Sequence, residues 1–156
     1  FTWSSDATSW VAVNDGVVTF TGKGNGNKVT ITGTPKNEGD KAITFSFTLK
    51  NWFINGNASL IWSKADEYCT LQGASLPTEP QLTNAEEGGT PSRTVGNMWS
   101  EWGGLGAYTS SGFSSDFYWA SSVTSNNRHH LVNMQYGSVG DYPDDFGRKV
   151  MCHQSL

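Results

Sequence analysis

The chain has 156 residues, of which only 15% are charged and 13% aromatic, with 18 glycines and a formal net charge of −4. No cluster of Lys and Arg is present, which argues against a nucleic-acid or anionic-membrane partner. No apolar run is long enough for a membrane-spanning helix and no signal peptide is visible, so any export signal is expected outside this stretch. The length suits one domain or two small ones, and the low charge with abundant Gly, Ser, Thr and Asn is the profile of a β-rich extracellular module.

Residues 1–50 read as short strands. Phe1–Trp3 opens the chain, and Ser4–Thr8 is expected as a polar turn. Trp10–Val13 and Val17–Thr21 alternate apolar and polar, with the strong turn signal Asn14-Asp15-Gly16 between them. After the turn Gly22–Asn27 come two period-2 strands, Val29–Thr34 and Ala42–Leu49, joined by a polar loop over 35–41. Strands at intervals of about ten residues predict a small antiparallel sandwich. Trp52, Phe53 and Ile54 within Asn51–Asn57 are read as the first strand of a second domain, giving domains 1–50 and 51–156.

The second domain is expected to be α+β, with two short helices. The first spans Ser63–Gln72. Ser63 is the expected N-cap, with Asp66 and Glu67 in the first turn, where negative charge suits the helix dipole. Ala65, Tyr68, Cys69 and Gln72 share one face, Gly73 is a C′ residue, and Pro77 forbids continuation. Glu79–Glu86 is a second helix with Leu82 and Ala85 inward, and Glu87–Val95 a loop. Asn97–Trp102 reads as a helical turn, with Met98, Trp99 and Trp102 packing, and Gly103–Ser115 as loop. Three strand signals follow, Phe117–Ser121, His130–Gln135 and Lys149–Cys152, with Ser122–His129 and Tyr136–Arg148 as polar connections.

Cys69 and Cys152 are the only cysteines. In a chain of extracellular character they predict one structural disulfide, stapling the end of the chain to its first helix; the alternative is a pair of buried free thiols.

Candidate chemistry is sparse. No G-x-S-x-G elbow or other nucleophile signature occurs, so no catalytic residue is assigned and the chain is read as a non-enzyme. His129 and His130 are adjacent on a strand and point to opposite faces, and no further Cys or His has ligand spacing, so neither a metal nor another cofactor is expected. Asp141, Asp144 and Asp145 could gather a cation but read better as a solvated acidic turn. The Gly- and Ser-rich loops carry Tyr108, Phe113, Phe117, Arg128, Tyr136 and Tyr142, with Asp116, Asp141, Asp144 and Asp145 close in sequence. Large amphipathic side chains on small-residue loops suit a recognition surface, so these ten residues are the candidate ligand-binding set. The competing reading for Phe113 and Phe117 is that they fold back and plug the core.

The stretch FTWSSDATSWVAVNDGVVTFTGKGNGNKVTITGT resembles the later half of a bacterial Ig-like domain, without its first strands. Trp62, Ala65, Cys69, Gly73, Leu76 and Pro77, together with NMWSEWG, YWASS and the closing VMC, resemble a C-type lectin-like domain over about 100 residues. In this order the two resemble the C-terminal tip of the intimin/invasin family of bacterial outer-membrane adhesins. That resemblance implies a host-receptor-binding tip at the bacterial cell surface. It also implies an N-terminal outer-membrane anchor lying elsewhere in the full-length protein.

The partner implied is a host cell-surface or secreted mucosal protein, itself a candidate for glycosylation, and the fragment is expected to be monomeric. EPN, QPD and WND, which bind calcium and sugar in the wider lectin fold, are absent, so recognition is expected to be calcium-independent and protein–protein. The alternative is a carbohydrate-binding module that stacks aromatics on host glycans. Integrin-binding members of the family have an important acidic residue about one turn beyond the first cysteine. Here that place is near Gly73, with no carboxylate until Glu79, which makes integrin a doubtful receptor unless Asp116 acts from another loop.

Overall fold

The computed structural model describes residues 1–156. It is β-rich and divides into two units, Phe1–Trp52 with Ser155–Leu156, and Phe53–Gln154. In the first unit β1 (Thr2–Ser5), β4 (Val29–Thr34) and β5 (Ile43–Phe47) form an antiparallel sheet in the order β1-β4-β5, while β2 (Val11–Asn14) and β3 (Val17–Phe20) form a hairpin. Asn14 pairs with Val17, and Asp15 and Gly16 both have positive φ, the two-residue turn that matches strand twist. Trp10, Val11, Val29 and Ile31 are buried between the layers, with Phe20, Phe47 and Trp52 around them. This is a partial Ig-like sandwich. Ser4 and Ser5 belong to β1, not to a turn, because they pair with Thr32 and Ile31. The bend starts at Asp6, whose carboxylate accepts from the Thr30 amide.

The second unit is built on a five-stranded sheet in the order β6-β10-β7-β8-β9. Its strands are β6 (Asn51–Leu60), β7 (Phe117–Ser125), β8 (Arg128–Asn133), β9 (Val139–Pro143) and β10 (Arg148–Ser155). Strand β10 runs parallel to β7. Alternation along the strands makes two faces. Trp119, Leu131, Val150 and Cys152 point to one, against α1 (Trp62–Leu71). Tyr118, Ala120, Val132 and Met151 point to the other, against α2 (Glu79–Leu82), α3 (Met98–Trp102) and two single 3-10 turns, Leu105–Ala107 and Thr109–Ser111.

Cys69 and Cys152 are both fully buried and form a disulfide with Cα atoms 5.3 Å apart, closing a loop of 83 residues. Helix α1 ends in a Schellman motif: the Ala74 amide donates to Cys69 O and Gly73 to Thr70 O, with Gly73 at φ 69°.

Several elements differ from their sequence reading. Helix α1 starts at Trp62 after Ile61, Ser63 makes no cap, and Asp66 and Glu67 lie beyond the first turn. Trp62 is drawn in because its indole donates to Ala120 O and stacks on His129 at 3.6 Å. Helix α2 stops at Leu82, four residues short of Glu86, because the Thr83 hydroxyl leaves the helix to bond Gly137 O at 2.6 Å. The segment 122–129 is not a loop: β7 runs to Ser125, and β8 begins at Arg128 after Asn127 turns at φ 59°. The segment 136–148 contains a strand, β9, pairing His129 with Tyr142 and Leu131 with Gly140. Beside the two expected short helices, Met98–Trp102 forms a third, capped by the Asn97 side chain on the Ser100 amide.

Candidate functional site

The ten candidate residues fall into separate groups within the second unit. One group lies where the 103–116 segment meets the β8–β9 connection. The Leu105 amide donates to Met134 O, the Met134 amide to Asp116 O, and the Trp99 indole to Gln135 O. The Trp99 ring also covers Gly137, whose φ is positive and where an added Cβ would lie only 2.5 Å from the indole, so no side chain is admitted. On this frame Tyr108 is exposed and held in place: its hydroxyl donates to Trp102 O at 2.7 Å, and its ring meets that of exposed Trp102 edge-on at 5.3 Å. Tyr136 is 67% exposed. Asp116 is exposed, with its carboxylate accepting from the Phe117 amide. Phe113 is turned inward, against Tyr118 and the second-face core.

The other group lies toward β9 and the turn that follows it. Asp141 takes a two-pronged ion pair from Arg128, at 2.9 and 3.0 Å, and a bond from Thr124. The Arg128 hydrogen bond, helped by Thr124, holds the Asp141 carboxyl at about 2, below its ordinary value. Asp144 bonds His129 at 2.7 Å through its side chain, accepts from the Trp62 amide, and donates to Asn127 O. The 141–145 run is therefore not a free acidic turn: two of its three carboxylates are engaged by Arg128 and His129, and only Asp145 is exposed. His130, on the opposite face of β8 from His129, pairs with Glu79 and reaches Glu87 at 3.4 Å.

Two residues missed in the sequence complete this second group. Arg148 lies 3.9 Å over the Tyr142 ring and 6.0 Å from the centroid of Phe117, while Phe146 meets Tyr142 edge-on at 5.4 Å. Phe117 is 38% and Phe146 52% exposed. Arg148 Nε is buried without a hydrogen-bond partner, and Nη1 donates only to Gly147 O. The missed signal was alternation within β10: Arg148, Val150 and Cys152 share a face with Phe117 and Trp119 once β10 and β7 run parallel.

Known proteins match both units. Residues 1–47 match the family model described as invasin, domain 4. Over 155 residues, 97% of the chain, it is 36% identical to an inverse autotransporter adhesin, YeeJ, of Escherichia coli strain K12, and spans 6% of that protein's length. The crystal structure of invasin, described as a bacterial integrin-binding protein, superposes on 99% of this chain and 31% of its own, with TM-score 0.78 and 26% identity. These matches support the intimin/invasin family of bacterial surface adhesins. A mutant of intimin from EHEC O157:H7 shares the fold, with TM-score 0.57 and 17% identity over 97% of this chain and 76% of that one. The fold is thus an Ig-like half followed by a lectin-like unit, and the matched proteins are adhesins by name rather than enzymes.

Proposed function

We propose that this chain is the receptor-contacting part of its adhesin. In this reading residues 1–50 are the end of an Ig-like stalk domain and 51–156 the recognition module. A region elsewhere in the full-length protein anchors it in the bacterial outer membrane. The module, as a monomer, binds a host surface or mucosal protein by direct protein–protein contact, without calcium. The supporting observation is that exposed aromatic side chains sit on loops already fixed by internal bonds, as Tyr108 is by Trp102 O. Rigid aromatic anchors lose little entropy on binding and favour interface centres. Calcium independence is supported by Asp141 and Asp144, whose oxygens are engaged by Arg128 and His129.

The experiment is capture of human epithelial-surface and mucosal proteins on the immobilised chain in EDTA, with and without enzymatic deglycosylation. One protein retained under both treatments is expected. Loss on deglycosylation would replace this reading with glycan recognition by stacking, and loss in EDTA alone would return the acidic turn as a cation site.

A further inference from the structure

We infer that Arg148, with Phe117 and Tyr142 beside it and Phe146 packed edge-on against Tyr142, is a docking point for a carboxylate side chain presented beside an apolar residue on a protein partner. The chain has three arginines, and the other two are matched. Arg93 donates to the carbonyls of Ser100 and Glu101, and Arg128 forks onto Asp141. Arg148 donates one bond to its own neighbour's carbonyl, and its Nε is shut away from solvent with no acceptor. A guanidinium stripped of part of its water is costly unless something answers its charge. The Tyr142 face, 3.9 Å away, supplies a cation–π contact, which replaces only part of that loss. A carboxylate arriving at the outer edge of the fork would supply the rest, and charge-assisted bonds of this kind are the stronger class.

The surroundings choose the kind of carboxylate. Phe117 lies 6.0 Å from the cation and Phe146 meets the Tyr142 ring edge-on, and both are substantially exposed. A sugar acid needs partners for its many hydroxyls, and the two phenyl rings offer none. An Asp or Glu next to a Leu or Phe fits both parts, with ion pair at the centre and apolar contact at the rim. The frame is also preorganised. Asp144, two residues from Phe146, is tied to Asn127 O, the Trp62 amide and His129, and the Phe146 amide donates to Pro143 O. The turn therefore needs little ordering on contact, which lowers the cost of binding.

The test needs no receptor, so its failure is separable from failure of the capture experiment. The intact 156-residue chain, labelled with ¹⁵N and observed by NMR, is titrated with blocked Leu-Asp dipeptide, with Leu-Asn dipeptide, and with sialyllactose. Saturable shifts of the Arg148 Nε–H and the Phe117 and Phe146 amides are expected with Leu-Asp, and binding at least about tenfold weaker with Leu-Asn. Arg148→Lys, which keeps the charge but loses the fork, should weaken Leu-Asp binding several-fold. Phe146→Ala, at a ring that is 52% exposed, should do the same. Equal response to Leu-Asn, no saturation with Leu-Asp, stronger binding of sialyllactose, or undiminished binding by both variants would overturn the inference.

Discussion

The two faces of the second unit's sheet are covered by different means. One carries a single regular helix, α1, whose Ala65 and Cys69 are fully buried and which is bonded covalently to β10. The other is covered by short pieces, α2, α3 and two 3-10 turns, none longer than five residues. Those pieces are too short to be stable alone. They are fixed by side chain to backbone bonds, Thr83 to Gly137 O, Trp99 to Gln135 O and Asn97 to the Ser100 amide, and by plugs such as Leu105. The first face shows that a periodic pattern and one crosslink can build a wall. The second shows that a Gly-rich loop becomes ordered when enough of its polar groups find specific partners, and it is on such a loop that exposed Tyr108 is presented.

The comparison can be broken most severely at the crosslink. Replacing Cys69 and Cys152 together by Ser should remove roughly 4–5 kcal/mol of stability, the chain-entropy value for a loop of 83 residues, read as a lower urea midpoint. An unchanged midpoint would mean that α1 is held by packing alone. On the opposite face, Leu105→Ala should cost about 2–4 kcal/mol for the lost burial and residual cavity. A cost equal to that of the double cysteine variant would erase the distinction drawn between the faces.

The smallest effect expected is one of pH. His153 is 7% exposed beside Phe53, and burial lowers its pKa below the ordinary 6.5. The unfolded chain then holds the proton more readily, so His153's contribution is complete above about pH 6.5 and is lost as pH falls below it. The urea midpoint should decline from pH 7 to pH 5, and His153→Gln should flatten that decline. A slope identical in the two proteins would place the titration elsewhere.

Much of this architecture can be read from residue order, for reasons that differ by region. The strands of the first unit alternate cleanly and are separated by Asn-Asp-Gly and Gly-Asn turns, so local pattern and fold agree. Gly73 ends α1 because only a residue at ease with positive φ suits that place. Strand β9 was hidden because Val-Gly-Asp-Tyr-Pro is turn-like in composition, which an edge strand tolerates and a central one does not. The start of α1 was misplaced because Trp62 is set by Ala120 and His129, both more than fifty residues away. The Arg148 group was out of reach for the same reason: Phe117, Tyr142 and Arg148 meet only through the order of β7, β9 and β10 in the sheet.

The disulfide also bears on how this unit would answer a mechanical load. Suppose tension enters through β6 and leaves through a partner gripping Tyr142 and Arg148. Without the bond, α1 and everything after it could unspool, and the slack between Cys69 and Tyr142 would reach about 250 Å at full extension. With the bond, the taut path crosses from Cys69 to Cys152 and returns along β10, leaving roughly 35 Å. The intervening loops, Tyr108 among them, would remain outside the line of force, and a tug on the grip would be felt as a stiff tether rather than a yielding one.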